Sequence, residues 1–224
     1  MGYGAGPVRA DRPSRLHGLY AIVDESATRP PLDLVAAFLE GGAAVVQLRL
    51  KNAPTGDLFR LAVAAGTLCR TRGALLLVND RPDVARAAGA DGVHLGQEDL
   101  PVKAAREILG GDAIIGVSTH SDAEIDAAVR SGVDYVGFGP IFATRSKGAS
   151  PLPTPHGIGG LRRAVERARP LPVVAIGGIT AARIAEVAGA GAACAAAIAE
   201  LCAAPDPAAR AREMSEAFRG GHRA

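Results

Sequence analysis

The 224-residue chain contains no tryptophan, and its other aromatics amount to five Phe and three Tyr. A chain of this length can bury a sizeable core, so that core must be built from Ala, Val, Ile and Leu. Cysteine is scarce as well. Cys69, Cys194 and Cys202 show neither a CxxC pair nor a metal-ligand spacing, which argues against a disulfide framework and for thiols packed in a reducing compartment. No sign of charge dominates, since 25 Lys and Arg against 23 Asp and Glu leave a formal net charge of +2. The basic face or tail of a nucleic-acid binder is missing, and no apolar run is long enough to span a membrane. The first 16 residues, MGYGAGPVRADRPSRL, lack the apolar stretch of a signal peptide. They read as a flexible tail, with residues 17–221 as one catalytic domain. The expectation is a cytoplasmic protein with no nucleic-acid and no membrane partner, and an Ala-rich outer helix could support a homodimer.

Glycine, at 28 residues, is plentiful, and it punctuates a regular alternation. Eight apolar, strand-like runs are each followed by a helical pattern: 19–24 and 31–42, 44–50 and 55–73, 74–80 and 81–90, 92–97 and 101–111, 113–119 and 121–132, 135–140 and 157–169, 172–178 and 180–191, and a weak run at 193–201 before 206–221. Pro101 suits a first helical position, where a missing N–H costs nothing. Ser121 and Thr180 suit N-caps. The basic helix GGLRRAVERAR reads as an exposed face with Arg163 paired to Glu166. Short apolar runs bounded by Gly are what strands buried on both faces look like. Eight such units predict an α/β fold, a single-domain (β/α)8 TIM barrel. An open doubly wound sheet would carry a Gly-rich fingerprint after its first strand, and IVDESATR has none.

In such a barrel chemistry gathers at the carboxyl ends of the strands, and polar residues fall there. In AAVVQLRLKN, residues Gln47, Arg49 and Lys51 alternate with apolar ones and so share a face. The third strand ends in Asn79 and Asp80. Asp99 follows the fourth, Ser118 and His120 end or follow the fifth, and Thr144, Arg145, Ser146 and Lys147 follow the sixth. Arg49, Lys51 and Lys147 suit phosphate, the first as a bidentate fork and the others as point charges. Asp80 and Asp99 facing a cationic, phosphate-binding pocket suit Mg²⁺, which takes one or two carboxylates and completes its shell with phosphate oxygens and water. Gly177 and Gly178 offer bare backbone N–H groups after the seventh strand, a cup for a second phosphate. His94, between apolar neighbours, reads as a hydrogen-bonded core histidine, and the cysteines as core.

The pieces VVQLRLK, LLVNDRPDVARAAGADGVHLGQEDLP, IIGVSTHS, DYVGFGPIFATRSK and VVAIGGIT run in order over about residues 18–201. Together they resemble the thiamine-phosphate synthase (thiamine-phosphate pyrophosphorylase) family. The resemblance implies that hydroxymethylpyrimidine diphosphate and thiazole phosphate are joined into thiamine phosphate, with release of pyrophosphate and no enzyme nucleophile. It also implies that Arg49, Lys51, Asn79 and Lys147 hold the diphosphate, and that Asp80 and Asp99 hold Mg²⁺. Gln47 would contact the pyrimidine, and Ser118 the pyrimidine or the diphosphate. Thr144, Ser146 and the Gly177–Gly178 backbone would hold the thiazole phosphate, and Arg49, Lys51, Lys147 and Ser118 would carry the catalysis. One departure stands out. The family's eighth strand usually reads like DGVAVVSAI, whereas AACAAAIAEL puts Cys194 at the glycine and Ala199 at the serine. Backbone N–H groups of Ile198 and Ala199 would then do the binding. The loop GASPLPTPHGIGG is also longer and richer in proline than is usual. Two other readings stay open: a thiazole tautomerase of the same fold with His120 as its base, and a non-catalytic barrel that binds a phosphorylated ligand.

Overall fold

A computed structural model describes residues 16–144 and 154–222. In chain order it contains β1 (Gly18–Asp24), α1 (Pro31–Glu40), β2 (Val45–Arg49), α2 (Thr55–Thr71), β3 (Leu75–Asn79), α3 (Pro82–Ala88), β4 (Gly92–Leu95), α4 (Val102–Leu109), β5 (Ile114–Thr119) and α5 (Asp122–Ser131). Then come β6 (Tyr135–Phe138), α6 (Gly157–Ala168), β7 (Val173–Ile176), α7 (Ile184–Gly189), β8 (Cys194–Ala197), α8 (Ala199–Cys202) and α9 (Pro207–Gly221). The strands pair in parallel and in chain order, and β8 returns to β1 to close the barrel. This is the expected (β/α)8 architecture. Strands this apolar are stable only when both faces are covered, inside by the lumen and outside by helices.

Local signals mark where helices begin, with exceptions. Ser121 caps α5, its hydroxyl accepting from the Glu124 N–H at 3.3 Å. Pro101 is not the first residue of α4 but its N-cap, in extended conformation, and the helix starts at Val102. Thr180 does not cap α7 either. Its carbonyl accepts from Arg183 and Ile184 in a turn that precedes the helix, and Arg183 holds the cap position. On α6, Glu166 pairs with Arg169 at 3.1 Å rather than with Arg163, while Arg167 reaches across to Asp126 on α5. The weak run 193–201 divides into the four-residue β8 and the short helix α8. Leu16, placed with the tail by the sequence reading, is 2% exposed and packs in the core. The rest of that expected tail, residues 1–15, lies outside the described residues.

All three cysteines are buried and unpaired with one another. Burial, with Asp91 nearby, pushes the Cys69 thiol up to about 12. The turns that lead from helix into strand carry an aspartate that pins the preceding strand. Asp91 accepts the Leu76 N–H at 2.9 Å. Asp134 accepts the Ile115 N–H at 2.8 Å and the Arg106 guanidinium at 2.6 Å. The lumen is filled by Tyr20 and Tyr135, both fully buried. Gly116, the partner of Tyr135 in register, makes this possible, because a Cβ there would lie 2.0 Å from the Tyr135 ring. Among the described residues no helix is long and apolar enough to cross a membrane.

Candidate active site

The carboxyl ends of β1, β2 and β3 bring together the first group of expected residues. Gln47, 2% exposed, donates from Nε2 to Asn79 Oδ1 at 2.6 Å and accepts the Tyr20 hydroxyl at 3.1 Å. Tyr20 lies in the lumen, so Gln47 does too, and Arg49, two residues on, shares that face at the rim. Arg49 Nη1 donates to Asp24 Oδ2 at 2.5 Å, and the two residues are opposite one another in the β1–β2 register. Asp24 is absent from the sequence-derived set. It ends β1 on the face of Tyr20, four residues before it, and that periodicity is the signal that could have found it. Burial works to raise the Asp24 carboxyl. The Ser26 N–H and the Arg49 guanidinium outweigh it and hold the group below the usual carboxylate range.

Asp80 follows β3 in a γ-turn. Its φ is 61°, and the Arg81 N–H reaches over it to the Asn79 carbonyl at 2.8 Å. It is the one non-glycine residue with positive φ among those described, a conformation that costs energy and persists where the surroundings impose it. The surroundings are a bond from the Asp80 N–H to the His94 carbonyl at 2.9 Å and an ion pair with Lys51 Nζ at 3.1 Å. Asp99 comes close from the loop after β4, where its Oδ2 accepts the Gly96 N–H at 2.6 Å. Burial and the neighbouring Asp99 raise the Asp80 carboxyl above its ordinary value in spite of Lys51. Two carboxylates so placed attract a cation. The described residues hold no cluster of three or more His, Cys, Asp or Glu, so an all-protein Zn²⁺ or Ca²⁺ cage does not fit, whereas a two-carboxylate Mg²⁺ site completed by substrate oxygens does.

Below this rim a chain of hydrogen bonds crosses the lumen. The Tyr20 and Tyr135 hydroxyls are 3.0 Å apart, Tyr135 is 2.8 Å from His94 Nδ1, and His94 Nε2 is 2.9 Å from Ser118 Oγ. His94 is thus a hydrogen-bonded lumen histidine, and it links Ser118 to Gln47. Gln97 steadies the same strand end, donating to the Ser118 carbonyl at 2.5 Å. His120 follows β5, with Nδ1 on the Gly139 carbonyl at 2.6 Å. A carbonyl only accepts, so Nδ1 carries a proton.

The residues expected to form a second anion cup follow β7 and β8, across the barrel from β3. Gly177 and Gly178 have φ of 101° and 64°, and a Cβ on either would collide with the β6–α6 loop, at Pro140 Cα or the Ala143 carbonyl. That loop is fastened to β7 by the Ile141 N–H on the Ile176 carbonyl and the Phe142 N–H on the Gly177 carbonyl, both 2.9 Å. Ile198 is the N-cap of α8 and Ala199 its first residue. The first N–H groups of a helix have no partner within it, and a short extra helix after the last strand is a recurrent phosphate site in these barrels. Glu200 of α8 accepts the Ala181 N–H at 3.4 Å and pairs with Arg210, tying the two loops together. Thr144 stands at the end of the described part of the β6–α6 loop. Arg145, Ser146 and Lys147 lie outside the described residues.

Known proteins resemble this chain in sequence and in fold. A model of the family described as thiamine monophosphate synthase matches residues 19–201. A thiamine-phosphate synthase of Anaeromyxobacter dehalogenans is 49% identical over 222 residues, covering 97% of this chain and 95% of its own. One from Chlorobium limicola is 47% identical over 194 residues, covering 86% and 90%. The solved structure of a thiamine phosphate pyrophosphorylase from Pyrococcus furiosus superposes with a TM-score of 0.84 at 37% identity, covering 94% of this chain and 98% of its own. Matches that run this evenly along the barrel, from β1 to α8, have one meaning: the chain belongs to the thiamine monophosphate synthase family.

Proposed function

We propose that this barrel joins hydroxymethylpyrimidine diphosphate to thiazole phosphate, releasing pyrophosphate and forming thiamine phosphate, with Mg²⁺ held by Asp80 and Asp99. The observation that carries the reading is the strained Asp80, set beside Asp99 and within 3.1 Å of Lys51 on the rim that also presents Arg49 and Asn79. Acids and cations interleaved on one rim suit a metal-bridged diphosphate and little else.

The chemistry asks the protein for charge and position. Breaking the carbon–oxygen bond to the diphosphate leaves charge on the departing oxygens and a pyrimidinylmethyl cation stabilised by the ring. Arg49, fixed by Asp24, offers its remaining N–H groups to those oxygens, and Lys51 adds a point charge. Lys147 would join them from the β6–α6 loop, and Asn79 offers its amide N–H. Mg²⁺, when bound, neutralises the leaving group as a Lewis acid. Gln47 and Ser118, deeper in the lumen, orient the pyrimidine. Thr144, Ser146 and the backbone at Gly177, Gly178, Ile198 and Ala199 hold the thiazole phosphate, so the thiazole nitrogen stands beside the forming cation. Cys194 does not intervene. It is buried in β8, and burial raises its thiol far above the range in which it would ionise.

The test is a product assay with both substrates, with and without Mg²⁺. Thiamine phosphate made only with the metal is the expected result. Metal-independent isomerisation of a thiazole carboxylate phosphate, abolished by His120→Ala, would replace this reading with the tautomerase. Binding of either phosphate with no reaction would replace it with a non-catalytic barrel.

A further inference from the structure

We propose that Tyr20, Tyr135 and His94 form an ordered hydrogen-bond relay that makes Ser118 an acceptor toward the substrate and ties that polarity to the amide of Asn79. The proposal rests on the reading above that Asn79 meets a diphosphate. Ionised phosphate oxygens only accept, so Asn79 turns its Nδ2 to the anion and its Oδ1 inward. Gln47 Nε2 donates to that oxygen at 2.6 Å, which leaves Gln47 Oε1 facing the Tyr20 hydroxyl at 3.1 Å. An amide oxygen only accepts, so Tyr20 spends its one proton there. The 3.0 Å contact between the tyrosines must then be filled by the proton of Tyr135. Tyr135 can now only accept from His94 Nδ1, 2.8 Å away, so that nitrogen carries the hydrogen. A neutral imidazole has one N–H. His94 Nε2 is therefore bare, and the Ser118 hydroxyl donates to it at 2.9 Å.

With the Asn79 amide so turned and His94 neutral, each step follows from the one before, because buried donors and acceptors are satisfied and burial raises both tyrosine hydroxyls well above the range in which they ionise. The opposite order would satisfy the same atoms. It would require both amides to turn over and Asn79 to present an oxygen to the anion. With the proton of Ser118 committed inward, its oxygen meets an N–H donor, such as the amino group of the pyrimidine, and not the diphosphate. Tyr20, Tyr135 and His94 are positioning residues that act through Gln47 and Ser118.

The experiment reads the His94 tautomer in the full-length protein labelled with ¹⁵N-histidine, from two-bond proton–nitrogen correlations, with His94→Gln to assign the signal. The probe is inorganic pyrophosphate with Mg²⁺. The expected result is His94 protonated on Nδ1 when pyrophosphate is bound. Tyr20→Phe leaves both neighbours of His94 in place but removes the acceptor of the Tyr135 proton. Tyr135 must then donate to Nδ1, and the His94 proton is expected to move to Nε2, an inversion that a merely structural role for Tyr20 would not produce. Bound pyrophosphate with an Nε2-protonated or doubly protonated His94 in the unaltered protein would overturn the relay alone. So would an Nδ1 proton that stays put in Tyr20→Phe. Failure of pyrophosphate to bind would remove the premise, and both readings with it. The unaltered protein decides the matter even if the variant does not fold.

Discussion

Replacing Asp24 by asparagine changes almost no volume, yet the structure assigns it a definite cost. The carboxylate accepts the Ser26 N–H on Oδ1 at 3.0 Å and the Arg49 guanidinium on Oδ2 at 2.5 Å. Asp24→Asn can keep the first bond but points an amide donor at the second. A hydrogen bond to a charged group contributes roughly 1.5–3 kcal/mol, so a loss of about 2 kcal/mol in stability is expected by urea denaturation near neutral pH. The acid limb gives a second reading. The folded-state value for Asp24 lies below its ordinary one, so its contribution is complete above the unfolded value and vanishes as pH falls through the folded one. The gap between the two proteins should therefore be constant from neutral pH to about pH 5 and close below about pH 4. The functional readout is pyrophosphate affinity by calorimetry in the presence of Mg²⁺. Releasing Arg49 from its anchor should weaken binding by about 30-fold if the complex loses about 2 kcal/mol more than the free protein does. Equal or tighter binding would refute the reasoning, because it would mean that Asp24 competes with the ligand for Arg49 instead of aiming it.

Three further outcomes follow from the same geometry. Gly116→Ala would set a methyl 2.0 Å from the Tyr135 ring; overpacking of about 1–3 kcal/mol plus displaced hydroxyl bonds predicts a lowered urea midpoint and a loss of activity, and an unchanged midpoint would show that the ring can settle elsewhere. Asp80→Gly should move stability and activity in opposite directions. Relief of the positive φ at 61° is worth about 1–2 kcal/mol, partly offset by the flexible unfolded chain, while metal-dependent turnover is lost; a destabilised variant would deny the strain. Mg²⁺ and pyrophosphate together should raise the melting temperature by more than the sum of their separate effects, since the anion alone faces the carboxylates of Asp80 and Asp99 and the metal alone faces the cations of Lys51 and Arg49; simple additivity would separate the metal from the anion site.

The barrel was legible because apolar runs and helical patterns alternate regularly, and nothing else of this length arranges eight such pairs so simply. Gln47 and Arg49 were legible because alternation along a strand survives folding unchanged, whereas Lys51 falls in the turn after β2 and meets the rim through its ion pair with Asp80. The contacts that were not legible depend on distance in space. Tyr20, His94 and Tyr135 are far apart in sequence, and only barrel closure brings their polar atoms within 3.0 Å of one another in series. Asp24 looks like a turn residue until the β1–β2 register sets it against Arg49. The run CAAAIAELC hid α8, because alanine suits a helix and a buried strand position alike, and no polar residue marks the boundary at Ile198. Pro101 and Thr180 were misplaced by one to a few residues for a related reason. Neither α4 nor α7 has a side-chain cap, and the chain enters α7 through a turn in which the Thr180 carbonyl accepts the Arg183 and Ile184 N–H groups.

The charges on the rim are arranged to be incomplete. Arg49 is answered by Asp24 below it, and Lys51 by Asp80, but Asp80 and Asp99 repel one another, and Asp80 holds a backbone angle that glycine would adopt more cheaply. A protein selected only for stability would lose one of those carboxylates or relax the turn. Keeping both makes sense if the balancing charge arrives with the ligand. Under the proposed function a dication between the carboxylates would remove their repulsion, and a diphosphate would meet the charges of Lys51 and Arg49. On this account tight binding needs metal and anion together, and neither half of the rim can be simplified without disabling the other.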